Sequence, residues 1–60
     1  MRFRVTKRNL ITSEERDYGK LDQKSLKEVL KGYKESKNWF GFYERKNSNW
    51  VYIVEPVDFN

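Results

Sequence analysis

Two stretches rich in aromatic and β-branched residues, Trp39 to Glu44 and Trp50 to Glu55, flank the polar run Lys46-Asn47-Ser48-Asn49. No other feature limits the possible folds as much. Side chains of the first kind fit a pleated, half-buried surface, while Asn and Ser supply turn conformations, so the segment reads as a β-hairpin. A turn of even length sets the register, with Tyr43 opposite Tyr52 and Phe42 opposite Ile53. Alternation then places Phe40, Phe42, Val51 and Ile53 on one face and Trp39, Tyr43, Trp50 and Tyr52 on the other. The first set is purely apolar and is the expected core. The second carries polar handles that suit a half-wet surface. Pro56 ends the strand, and Val57-Asp58-Phe59-Asn60 is a tail whose Phe59 is free to fold back.

Upstream, Phe3 and Val5 alternate with Arg2, Arg4, Thr6 and Arg8, the period-two pattern of a strand with one buried face. With Phe3 and Val5 inward, Arg2 and Arg4 join the Trp/Tyr face of the hairpin. From Asn9 to Lys20 the alternation lapses. Leu10 and Ile11 extend the strand or anchor a turn, Thr12-Ser13-Glu14-Glu15 has the look of a helix cap with an acidic first turn, and Gly19 would end that short helical piece.

The principal helix follows. Asp22 caps its free amides, with Leu21 and Leu26 placed as a hydrophobic staple, and Ser25 with Glu28 offers a competing capping box. Gly32 either ends the helix or sits within one that runs on to Ser36 or Lys37. Leu26, Val29, Leu30 and Tyr33 share an arc that faces a core. Lys20, Lys24, Lys27, Lys31 and Lys34 fall within a neighbouring arc of about 80°. Such a stripe is also what the solvated side of a helix looks like, and Glu28 and Glu35 within three or four residues of lysines support that plainer reading. The expected fold is a small single α+β domain over residues 1–60. In it a three-stranded, mainly antiparallel sheet (strand, helix, β-hairpin) packs on one main helix.

Sixty residues bury about 60% of their unfolded surface, which leaves little stability to spare. The chain has no Cys and no His, so neither a disulfide framework nor a standard zinc site can add to it. Self-association or a partner is the remaining source. No apolar run approaches the ~20 residues of a membrane span, and Met1-Arg2-Phe3-Arg4 leads into no signal-peptide core, so a soluble, cytoplasmic protein away from membranes is expected. The wealth of Lys, Asn, Tyr, Phe and Ile fits an AT-rich coding sequence. In this the chain resembles small accessory proteins of phages and mobile elements.

Charge is unevenly placed. The net charge is +4, with positive segments at Arg2–Arg8 and Lys20–Lys37 and an acidic interruption at Glu14, Glu15 and Asp17. Basic surfaces of this kind raise encounter rate and affinity for phosphate or for an acidic protein. Catalysis has little to stand on. His and Cys triads are ruled out by composition and no Gly-rich phosphate loop exists. Glu14, Glu15, Asp17 and Asp22 match no calcium loop, and two of them serve better as helix-start residues. No catalytic residue, metal or cofactor is expected.

The expected function is therefore a non-enzymatic binding protein that recognises, and inhibits or redirects, another protein. Trp39, Tyr43, Trp50 and Tyr52 would be its anchors, with Arg2, Arg4 and the lysines selecting an acidic target. The alternative is a nucleic-acid-binding module in which Lys24, Lys27, Lys31 and Lys34 meet phosphates and the open sheet stacks bases. A homodimer closed through edge strands or aromatic faces is a third arrangement. The Trp/Tyr face could also be covered by a second layer, formed by residues 9–20, the tail or a second subunit.

Overall fold

The alternation at the N-terminus becomes β1 (Arg2–Asn9), with Val5 wholly buried. The computed structural model describes residues 1–57, so the expectation for Phe59 lies outside the described residues. After β1 come β2 (Glu15–Asp22), α1 (Gln23–Val29), β3 (Lys34–Glu35), β4 (Phe42–Glu44) and β5 (Trp50–Pro56). The strands form one five-stranded antiparallel sheet in the order β2-β1-β5-β4-β3. This corrects the expected three-stranded sheet on a main helix: strands dominate, and the helix is a short seven-residue element.

The largest departure is β2. Residues 9–20 were expected to be irregular or briefly helical, yet Glu15–Asp22 pairs with β1 from Arg2↔Asp22 to Arg8↔Glu15. The register shifts between Val5 and Thr6, so β2 carries an extra residue there. Gly19 adopts φ +77° at this bulge, and the Asp17 carboxylate accepts a hydrogen bond from its N–H at 2.7 Å. A bulge resets which face a strand residue points to. Tyr18 and Leu21, three apart, therefore pack on the same core, and their spacing imitates a helix. The turn between β1 and β2 is organised by Asn9, whose buried side-chain oxygen accepts from the N–H groups of Ile11 and Thr12, both at 2.9 Å. Ser13, not a helix cap, completes that turn at φ +66°.

The helix start is as expected. Asp22 is extended at φ −78°, ψ 174°, and accepts from the Ser25 N–H at 2.8 Å. Its end comes early: Leu30 is the C-cap and Gly32 turns the chain at φ +85°. The run from Lys20 to Lys34 is thus divided among β2, α1, a turn and β3. The hairpin register is also as expected, with Phe42↔Ile53 and Tyr43↔Tyr52.

Its tyrosine face, not its purely apolar one, meets the main core, although Val51 of the apolar set is buried as expected. The core cluster is Val5, Leu26 and Tyr52, packed against by Phe3, Tyr18, Leu21, Val29, Leu30, Tyr33, Tyr43 and Val54. Pairing explains this. β1 lies directly beside β5, with Val5↔Val54 and Lys7↔Tyr52, so the inward face of β1 dictates that of β5. The chain must also cross from the β2 edge to the β3 edge, and α1, packed on β2 and β1, makes that crossing over the tyrosine face. Tyr52 meets Tyr18 and Tyr33 edge to face at centroid distances of 5.8 and 4.8 Å. Three large rings supply the volume that so few aliphatic residues cannot.

Candidate functional site

The anticipated patch is split by the sheet. Tyr52 is 6% exposed and belongs to the core; Tyr43 is partly buried against it. Trp50 is half-buried, with the Lys7 ammonium 4.9 Å from its ring centroid and 5.6 Å from that of Tyr52. The Lys7 ammonium is thus shared between the two ring faces as a cation–π contact. Arg2 and Arg4 alternate with the half-buried Phe3 and the buried Val5 and stand exposed on the opposite face, Arg2 across from Asp22 and Arg4 between Lys20 and Glu55. Each has an acidic cross-strand neighbour. Arg8 goes further and reaches Glu15 at 3.7 Å, the one ion pair among the described residues.

Of the lysines, Lys24 and Lys27 remain together on α1, beside Gln23 along a shallow depression. Lys31 lies in the turn beyond, and Lys34 sits in β3 opposite Glu44. A continuous four-turn phosphate-binding stripe does not form.

Trp39 is the anticipated anchor that stays open, at 65% exposure, and its neighbour Phe40 is 96% exposed. Both lie in the loop between β3 and β4. The loop is held from several sides: the Glu35 carboxylate accepts from the Gly41 N–H at 2.9 Å, the Ser36 hydroxyl accepts from the Asn38 N–H at 3.2 Å, and the Trp39 ring leans on Phe42 at 6.0 Å. Phe40 was assigned to the core by its alternation with Phe42. The left-handed Gly41, at φ +81°, breaks that alternation before β4 begins, and this glycine is the sequence signal that Phe40 belongs to a loop.

Leu10 and Ile11, in the β1–β2 turn, are also exposed, at 62% and 72%. Leu10 donates its N–H to the Asn49 carbonyl at 2.8 Å, which brings this turn against the start of β5. A groove of about 550 Å³ opens there, lined by Leu10, Val51, Lys34, Lys37, Lys46 and Glu44 among others. A second groove of about 470 Å³ runs beside Phe40, Phe3, Tyr43, Val54 and Pro56, with Glu35 and Glu55 at its rim. The two lie on opposite faces of the β4–β5 pair, Glu44 and Val51 lining the first and Tyr43 and Val54 the second. Neither Lys37 nor Lys46 stood out in the sequence, because β3 and the β4–β5 turn meet only in the folded sheet.

Two titratable groups are displaced from their ordinary values. Burial pushes the Tyr52 hydroxyl up to about 12, and the neighbouring Tyr18 and Tyr33 add to the shift. The Asp22 carboxyl is lowered, chiefly by the backbone N–H of Ser25 that it caps. Among the described residues, no group of three or more acidic side chains converges to hold a metal, and no helix is long and apolar enough to cross a membrane.

Comparison with models of protein families, with characterised proteins and with solved structures finds no match to this chain. Its function is read from its own surface.

Proposed function

We propose that this chain is a non-enzymatic binding protein that recognises another protein, and acts by blocking or redirecting it. The observation that carries the reading is the side-by-side exposure of Trp39 and Phe40 on a loop whose backbone is tied down by Glu35 and Ser36. Large aromatic side chains on a held loop lose little conformational freedom on binding, and such residues dominate interface energetics. Leu10 and Ile11 enlarge the apolar surface on offer. In a chain of sixty residues with so small a core, leaving these side chains in water runs against stability, which favours a role for them outside the fold. The net charge of +4 directs the choice of partner toward acidic surfaces.

The test is site-specific photo-cross-linking in cells, with a benzophenone amino acid at position 40. A discrete protein adduct that disappears when Trp39→Ser is added supports the reading. Adducts to nucleic acid alone, or no adduct while the protein is folded, overturn it. Both substitutions fall at exposed positions, so the folded state serves as its own control through the thermal midpoint.

A further inference from the structure

We infer that the groove between the β1–β2 turn, β3 and the β4–β5 turn receives an acidic peptide segment of the partner, with one apolar side chain of that segment seated against Leu10 and Val51. This rests on the protein-binding reading and gives it a location and a ligand chemistry.

Charge complementarity is the first argument. Lys34, Lys37, Arg45 and Lys46 line the groove against Glu35 and Glu44. Glu35 is already engaged by the Gly41 N–H, and Arg45 is drawn aside over the Tyr33 ring at 5.2 Å. Three lysines then share the groove lining with Glu44, and none of the three forms an ion pair among the described residues. An approaching carboxylate meets cations that need not be detached from a partner first.

The apolar element is the second argument. Leu10 is largely exposed at the rim, whereas Val51 is buried at the base although it points away from the main core. A polyanionic backbone has no use for such an apolar floor. No pair of aromatic faces lines this groove to stack bases. A peptide with acidic residues around one leucine-sized side chain satisfies both halves of the surface.

The experiment titrates the intact protein against a fluorescein-labelled octapeptide of glutamates around a central leucine, followed by anisotropy. Saturable binding is expected, weakened about tenfold by the pair Lys37→Glu and Lys46→Glu and about tenfold by Leu10→Ser, and unchanged by Lys24→Glu on the helix. A peptide of glutamates without the leucine is expected to bind measurably less well. Equal binding of the two peptides, equal loss from Lys24→Glu, or tighter binding of a single-stranded oligonucleotide each overturns the assignment. If the octapeptide fails to bind while the position-40 adduct is obtained, the groove assignment falls and the protein-binding reading stands; failure of both removes both.

Discussion

Gly41 and Val54 touch through their backbones: the Val54 N–H donates to the Gly41 carbonyl at 2.8 Å, and a Cβ built on Gly41 would stand 2.6 Å from the Val54 carbonyl oxygen. This contact continues the β4–β5 pairing past Phe42 and anchors the loop that carries Trp39 and Phe40. Gly41→Ala must move backbone and also hold an L side chain at φ +81°, so a loss of about 2–3 kcal/mol in urea unfolding is expected. Gly19→Ala is the comparison. It shares the positive φ but meets nothing within 4 Å, so about 1 kcal/mol is expected there.

Core and loop separate cleanly by substitution. Val5→Ala empties a fully buried site at the sheet centre and is expected to cost about 2–3 kcal/mol. Phe40→Ala removes a larger side chain yet should stay within about 0.5 kcal/mol of the parent, because that ring is almost wholly in water. Denaturant midpoints measured side by side check both, and a large loss from Phe40→Ala would show that the ring packs in solution.

Alkaline stability follows from Tyr52. Its hydroxyl ionises near 12 in the folded state against 10.0 for the free side chain, so the folded state holds the proton more tightly. The associated stability is fully present below pH 10 and is lost as pH rises from 10 toward 12. Absorbance at the tyrosinate band should show one late-titrating tyrosine that Tyr52→Phe abolishes.

Acid stability has a contribution of opposite sign from Asp22, whose folded pKa lies below 3.8. Its contribution is present above that value and disappears as pH falls below it. Asp22→Ala should lower helix content by circular dichroism and the urea midpoint at neutral pH, while Asp22→Asn keeps much of the cap because an amide oxygen can accept from the Ser25 N–H.

The elements that were legible are those governed by neighbours in the chain. The cap at Asp22, the strand through Phe3 and Val5, and the Tyr43↔Tyr52 register each depend on a few residues. β2 was hidden because the bulge at Gly19 breaks its period, and the helix was overread because the lysine spacing continues through Gly32 into β3. For the candidate surface, the exposure of Trp39 was legible. Tyr43, Trp50 and Tyr52 were assigned to the open face because a purely apolar set looked the better core.

The chain's own sequence determined local conformation: where the helix begins, how the hairpin is paired, and, with no Cys or His, that neither a disulfide nor a standard Cys/His zinc site is open to it. Which face of the hairpin is covered was decided only by tertiary structure. Antiparallel pairing of β1 with β5 and the passage of α1 from one sheet edge toward the other bury the tyrosines, and both join residues tens of positions apart. The groove at Leu10, Lys37 and Lys46 has the same origin. Side-chain periodicity says that a strand has two faces, but the choice between them belongs to the elements that pack against it.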